Sequence, residues 1–130
     1  RPVEQLGAHV LTSANNTDTV AINQARVLDL IRSSSKKLNG DHIMLVTDIK
    51  RDKNGAVLEI EYTHSTPYYG KLSGVKKGVV RIKHPDLPLE KQEWLEIDEF
   101  GVNHTLEGYL TNPLDNGLRR LKVFKDLEIV

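Results

Sequence analysis

The 130-residue chain contains no cysteine, which excludes disulfides, thiolate metal sites and a cysteine nucleophile within these residues. Its charge is balanced, with 18 basic and 18 acidic residues, so no overall field directs it toward nucleic acid or an anionic membrane. No apolar run approaches the ~18 residues that a membrane span needs, and no signal-peptide pattern is visible.

The length and the residue pattern predict a single strand-dominated α+β domain over residues 1–130, because this much chain can bury its own core. Residues 1–25 are polar and lack a sustained period, which predicts a loosely structured N-terminal segment with one short helix near Asp18–Gln24. One or two helical turns are expected in 87–100, and 101–117 is rich in turn residues. Strands are predicted at 26–32, 42–49, 56–64, 78–84, 118–124 and 127–130.

The stretch from Gly40 to Thr66 reads as one β-hairpin with a histidine near each open end. A two-residue loop at Asn54-Gly55 would place His42 and His64 on opposite faces. A three-residue loop that also includes the preceding lysine would make the histidines same-face diagonal neighbours, roughly 7 Å apart between backbones. The turn therefore decides whether the two rings share a site.

The hydrophobic pattern of the hairpin leans toward the two-residue loop. That register would gather the following apolar residues on one face: Ile43, Leu45, Ile49, Leu58, Ile60 and Tyr62. The segment "HIMLV" is nevertheless apolar on both faces, as expected of a strand covered on both sides. The residues alone therefore leave both registers open.

Several short segments follow one another in a set order along residues 26–82. The segment "LDLI" contains Leu28 and Asp29, His42 opens "HIMLVTDI", and His64 stands in "THST" ahead of the Gly-Val run "GVKKGVVRI". This order resembles the second half of the NlpC-type cell-wall peptidases, which are papain-like cysteine hydrolases and amidases. Asp29 stands at the position of the family's Asp, with Leu28 where the family has Gly.

This resemblance implies a small papain-like α+β domain built on an antiparallel half-barrel. It implies that His42 is the general base, that His64 orients it, and that the two share a face. In such a site a thiolate attacks an amide carbonyl while the base takes and returns the proton. Asp29, Tyr62 and Tyr68 are predicted to contact a peptide or peptidoglycan-like substrate, in a bacterial cell envelope or after secretion.

The nucleophile of that family is missing from this chain. The family's Cys begins a helix upstream of the strand that holds Asp29, and the only hydroxyl in a plausible upstream place is Ser13 in "LTSAN", which does not resemble the family's Asp-Cys-Ser-Gly segment. The chain opens on Arg1 without an initiator Met, so we expect a trimmed product or a fragment of a longer chain. The missing Cys leaves two explanations: a fragment whose nucleophilic helix lay before Arg1, or a pseudoenzyme that keeps the barrel and has lost catalysis. Either one is predicted to be inactive as a cysteine hydrolase by itself.

Two other classes of function remain open on the sequence. A metal-free ribonuclease could use both hairpin histidines and one lysine among Lys71, Lys76 and Lys77, without any Cys. The zero net charge argues against it, because a domain that cleaves RNA usually has a basic face. A non-catalytic module that binds the cell wall is the other class. No short-spaced ligand motif is present, so neither a metal nor another cofactor is expected.

Overall fold

The computed structural model describes residues 13–35, 40–66 and 74–124. Within these ranges one antiparallel sheet has the order β1-β7-β2-β3-β4-β5-β6. One α-helix, α1, covers His104–Leu110, and single 3₁₀ turns lie at 22–24, 89–91 and 122–124. The predicted strand-dominated α+β class is confirmed. The strands are β1 (Thr17–Thr19), β2 (Leu30–Ser35), β3 (Gly40–Arg51), β4 (Val57–Thr66), β5 (Gly74–Arg81), β6 (Glu93–Trp94) and β7 (Gly117–Leu121).

The loop between β3 and β4 has three residues, 53–55. The backbone N–H of Asp52 donates to the carbonyl of Ala56 at 2.9 Å, so these two residues close the loop. Gly55 adopts a φ of +87°, a left-handed conformation that suits glycine at the third loop position. The Asp52 carboxylate also accepts hydrogen bonds from the backbone N–H groups of Asn54 and Ala56. The two-residue alternative is therefore wrong.

Two β-bulges interrupt the pairing of β3 with β4. The extra residue is Thr47 on β3 and Leu58 on β4. Because the bulges lie on opposite strands, their register shifts cancel, and the pairing beyond them is the one that the three-residue loop begins. Strict alternation would bury Leu45 and Leu58 together, but they are 36% and 45% exposed. The bulges explain why the hydrophobic pattern favoured the wrong register.

The core lies on one face of the sheet, beneath α1 and the 89–91 turn. Trp94 packs between two buried tyrosines, with ring centroids 6.0 Å from Tyr62 and 5.1 Å from Tyr109. Its indole N–H donates to the carbonyl of Leu89 at 2.9 Å, which satisfies the polar end of a buried tryptophan.

The helix α1 lies in the stretch that the sequence predicted to be turns. The side chain of Asn103 caps it by accepting from the backbone N–H of Leu106 at 2.9 Å. Only seven residues long, it would be marginal alone in water. Burial of Thr105, Gly108 and Tyr109 against the sheet stabilises it instead. No helix among the described residues is long and apolar enough to cross a bilayer.

The N-terminal segment from Thr17 onward is part of the packed fold rather than loose. Strand β1 pairs with β7 at one edge of the sheet, and Ile22 and Ala25 are buried in the core. The helix predicted near 18–24 is one 3₁₀ turn, Ile22–Gln24. Residues 1–12 and the strand predicted at 127–130 lie outside the described ranges.

Candidate functional site

The three-residue loop brings the two hairpin histidines together on the core face. Nε2 of His42 lies 2.6 Å from Nδ1 of His64, with the ring planes inclined by 63°. The other nitrogen of His64, Nε2, lies 2.8 Å from Oε2 of Glu96. These three side chains form a continuous hydrogen-bonded series, which we call the His–His–Glu relay.

Glu96 is the buried end of the relay. Its side chain is 1% exposed, and its Oε1 accepts from the Tyr62 hydroxyl at 2.5 Å and from the Thr105 hydroxyl at 2.7 Å. Burial alone would raise the pKa of this carboxyl, but the hydrogen bonds from His64, Tyr62 and Thr105 outweigh burial and lower the pKa below its ordinary value. The relay therefore ends in an ionised carboxylate at neutral pH.

The carboxylate fixes the tautomers of both histidines. An ionised carboxylate only accepts hydrogen bonds, so Nε2 of His64 carries the proton that faces Glu96. In the neutral ring, Nδ1 of His64 then accepts from Nε2–H of His42. This assignment leaves Nδ1 of His42 unprotonated. Within the described ranges nothing hydrogen-bonds to that nitrogen, so its lone pair is available to take a proton.

His42 is half-buried at the outer end of the relay. Burial and the neighbouring His64 lower the pKa of His42 from 6.5 to about 4, although the charge of Glu96 opposes this. The ring is therefore neutral at pH 7, in the form that a general base requires. A negative charge placed next to His42, such as a thiolate, would raise its pKa again.

Gly78 makes room for one of the groups that hold Glu96. It is paired with Tyr62 across β4 and β5, and a Cβ at this glycine would lie 2.4 Å from the Tyr62 ring. Tyr62 is 0% exposed, so its ring cannot contact a substrate. The expectation that Tyr62 binds substrate is revised: its hydroxyl positions Glu96.

A lysine adds positive charge near the buried carboxylate. Lys76 is the cross-strand partner of His64 on β5, and its Nζ lies 4.0 Å from Oε2 of Glu96. Its side chain is 16% exposed, so water only partly screens this attraction. The lysine therefore favours the ionised form of Glu96.

Asp29 lies apart from the relay. Its carboxylate accepts from the Arg26 backbone N–H at 2.8 Å and from the Arg120 guanidinium at 2.8 and 2.9 Å. Asp29 is hydrogen-bonded through its backbone to Val46, four residues along β3 from His42, which spans about 13 Å. Its contacts tie β7 to the start of β2, and they do not bring it to the histidines.

Neither Ser13 nor Ser33 is placed to act as a nucleophile beside His42. Ser13 precedes β1, which lies three strands from β3, or about 14 Å at the usual strand spacing. Ser33 is paired with His42 across β2 and β3, but it is 4% exposed in the middle of a strand and leaves little room for an amide carbonyl. Tyr68 and Lys71 lie outside the described residues.

The sequence interpretation missed Glu96 and Thr105. Glu96 lies 32 residues beyond His64 in "WLEIDEF", which matches no catalytic motif. One signal could have found it: Glu96 is two residues after Trp94, so in an extended chain both side chains point to the same face. A carboxylate that shares a face with a core tryptophan is buried and needs hydrogen-bond donors.

A scan against protein-family models, a search of curated proteins and a search of solved structures each found no match. Among the described residues, no group of three or more His, Asp and Glu side chains is arranged to hold a metal ion. The chemistry of the relay is therefore read from its geometry. It can accept a proton at Nδ1 of His42 and stabilise the resulting imidazolium through His64 and the Glu96 carboxylate.

Proposed function

We propose that this chain is the base-bearing part of a papain-like amide hydrolase of the NlpC type, with His42 as its general base. The observation that carries the proposal is the relay itself, in which His42 lies 2.6 Å from His64 and His64 lies 2.8 Å from Glu96. Catalytic triads use the same logic, since a base is oriented by a second group that holds its far nitrogen. The antiparallel sheet is compatible with a papain-like half-barrel.

In the proposed reaction the nucleophile is a thiol supplied from outside these 130 residues. Its proton moves to Nδ1 of His42 as the sulfur attacks the amide carbonyl, and His42 then returns that proton to the leaving amine. His64 keeps the ring oriented, and the Glu96 carboxylate offsets the positive charge that the relay gains. The proposed substrate is a peptide or peptidoglycan-like amide in a bacterial cell envelope or secreted setting.

The ribonuclease alternative is less well supported by this geometry. It needs two acid–base groups at the scissile phosphate, but the His64 side chain is 0% exposed between its two partners. Of the candidate lysines, the Nζ of Lys77 lies 3.6 Å from Glu61, and the Nζ of Lys76 lies 4.0 Å from the buried carboxylate of Glu96. These contacts favour one accessible base rather than two. A non-catalytic module that binds cell-wall peptide would have the same fold but no turnover. Measuring turnover and peptide affinity separately distinguishes such a module from a hydrolase.

The test measures amide hydrolysis of peptidoglycan-derived peptides by mass spectrometry. We expect no turnover by the 130-residue chain alone. Should the gene encode a cysteine-bearing segment before Arg1, we expect turnover by the longer protein that includes it. In that longer protein His42→Gln should lower kcat/KM by about 10³-fold, because general base catalysis is lost. The control is His84→Gln, which changes an exposed histidine outside the relay.

Four results would contradict parts of the proposal. Amide hydrolysis by the 130-residue chain alone would show that its nucleophile lies within these residues. Full activity of His42→Gln would remove His42 as the base. RNA cleavage in the presence of a chelator, abolished by His42→Ala, would establish the ribonuclease instead. Peptide affinity without turnover in the longer protein, unchanged by His42→Gln, would identify a binding module.

A further inference from the structure

A cavity of about 360 Å³ lies where the 89–91 turn, α1 and the strands β1 and β7 meet. None of its lining residues belongs to the His–His–Glu relay. The volume is within the range of small-ligand sites, which begins near 300 Å³. The cavity is therefore large enough for a ligand of several non-hydrogen atoms.

The lining of the cavity combines an apolar floor with unneutralised acids. Ile22, Leu89 and Leu118 supply buried aliphatic surface. Asp86 and Glu90 supply two carboxylates, and no Lys, Arg or His is among the lining residues that the structure describes. Neither carboxylate forms an ion pair with a described residue. The lining therefore carries a formal charge of −2, which favours a cation and repels an anion.

Tyr109 gives the cavity a polar group without a partner. The residue is 1% exposed, and its ring is held in the core against Trp94. Among the described residues none forms a hydrogen bond with its hydroxyl group. Burial raises the pKa of Tyr109, and the nearby Glu90 carboxylate raises it further, so the phenol stays neutral. Tyr109 lines the cavity and its hydroxyl oxygen is not a fully buried atom, so a donor that enters the cavity can reach this oxygen and hydrogen-bond to it.

We propose that this cavity binds a primary alkylammonium group, such as a lysine side chain or a short diamine. The ammonium donates to the Glu90 carboxylate and the Tyr109 oxygen, with Asp86 adding attraction at longer range. The aliphatic stem lies on the apolar floor. An ammonium has three donors and no acceptor, which matches a lining that offers acceptors and negative charge. This inference does not depend on the proposed hydrolase function.

The test uses 1,5-diaminopentane as the probe, with binding to the 130-residue chain followed by NMR chemical shifts and calorimetry. We expect saturable binding that shifts the Tyr109 ring signals and weakens in 0.5 M NaCl, since salt screens the ion pair. Neutral 1-pentanol and anionic pentanoate should bind at least about tenfold more weakly. Glu90→Gln and Tyr109→Phe should each weaken the diamine about fivefold, as expected for losing one polar contact.

The matched control is Glu93→Gln, which removes an exposed carboxylate outside the cavity that pairs with Arg81, and it should leave diamine binding unchanged. If Tyr109→Phe does not fold, the Glu90→Gln variant alone tests the proposal. Glu90 forms no hydrogen bond or ion pair through its side chain with a described residue, so this substitution should not disturb folding. Equal binding of 1,5-diaminopentane and 1-pentanol would overturn the proposal. So would diamine binding that is absent at millimolar concentrations or unaffected by Glu90→Gln.

Discussion

Two carboxylates in this protein are buried to the same degree but have different partners. The Asp29 side chain is 2% exposed and the Glu96 side chain 1%, and each has both oxygens hydrogen-bonded. Asp29 faces the guanidinium of Arg120 and one backbone N–H. Glu96 faces the imidazole of His64 and two hydroxyl groups.

The difference in partners separates a structural contact from a proton relay. A guanidinium stays charged at every relevant pH, and hydrogen bonding to Asp29 raises the pKa of Arg120 further. That pair cannot exchange a proton and only ties β7 to β2. An imidazole can donate a hydrogen bond from one nitrogen and accept one at the other, and His64 connects the buried Glu96 to the half-buried His42 in this way. The imidazole partner is what makes Glu96 part of a candidate site.

Loss of Glu96 should have the largest effect on stability. Glu96→Ala leaves His64 Nε2–H and the hydroxyls of Tyr62 and Thr105 buried without their acceptor. We expect it to lower the free energy of unfolding by about 4 kcal/mol, measured by urea denaturation at pH 7. Glu93→Ala is the matched control, because Glu93 is 44% exposed, and it should cost under about 0.5 kcal/mol.

A cost below about 1 kcal/mol for Glu96→Ala would mean that its donors find water instead. The measured stability would then give no support to the contrast between the partners of Glu96 and those of Asp29. Glu96→Gln sharpens the result, because an amide keeps one acceptor oxygen but adds a donor. It should cost less than Glu96→Ala and should also disturb the tautomer of His64, which NMR signals of the ring nitrogens report.

Acidification should destabilise the relay, because His42 takes up a proton more readily in the unfolded chain than in the folded one. The pKa of His42 is about 4 in the folded chain and about 6.5 when unfolded, so between these values the unfolded state binds more protons. The contribution of neutral His42 to the free energy of unfolding is therefore fully present above pH 6.5 and is lost as the pH falls toward 4. The loss is at most about 3 kcal/mol.

This pH dependence can be checked by urea unfolding at pH 7 and pH 4.5. The difference in free energy should shrink markedly in His42→Gln, which has no group to protonate at that position. The His42 ring signals in NMR should also titrate well below 6.5. An apparent pKa of 6.5 or higher would show that burial does not govern this histidine.

Asp29→Asn should have an intermediate effect. The amide still accepts from one donor, but it turns an N–H₂ group toward Arg120 and removes the charge that pairs with it. Because Arg120 is 21% exposed, water partly replaces the lost partner, and we expect a cost of about 2 kcal/mol. The titration of His42 should not move. A shifted His42 pKa in this variant would contradict the separation of the two carboxylates.

The sequence predicted the hairpin and its two histidines but not the site that they enter. Strand periodicity and the Asn54-Gly55 pair locate the hairpin, because both are local signals. The register was decided by the Asp52 side chain in the loop and by bulges at Thr47 and Leu58, which simple alternation does not reveal.

The partners of Glu96 and the helix α1 were beyond sequence reasoning for a different physical reason, although the burial of Glu96 could have been inferred from its spacing to Trp94. Glu96 reaches His64 only because the chain after β5 returns to that edge of the sheet, and Leu95 continues the pairing by donating to the Val79 carbonyl. Likewise α1 is stabilised by tertiary burial rather than by helix propensity. Such contacts join residues that are distant in the chain, and no local pattern encodes them.

The smallest expected effect concerns the residue before Asp29. Leu28 has a φ of +80°, a left-handed conformation that costs a residue with a Cβ about 1–2 kcal/mol. Glycine avoids this strain but loses more backbone entropy on folding. We therefore expect Leu28→Gly to stabilise the protein by about 0.5 kcal/mol, measured by urea denaturation.

Val27→Gly is the matched control for Leu28→Gly. Val27 is the neighbouring apolar residue and is almost equally exposed, 37% against 38% for Leu28, but its φ is not positive. Without strain to relieve, glycine at 27 should destabilise by about 0.5–1 kcal/mol. Opposite signs at these adjacent positions would show that the backbone of Leu28 is strained in the turn before Asp29. Equal losses at both would show that Leu28 is not strained.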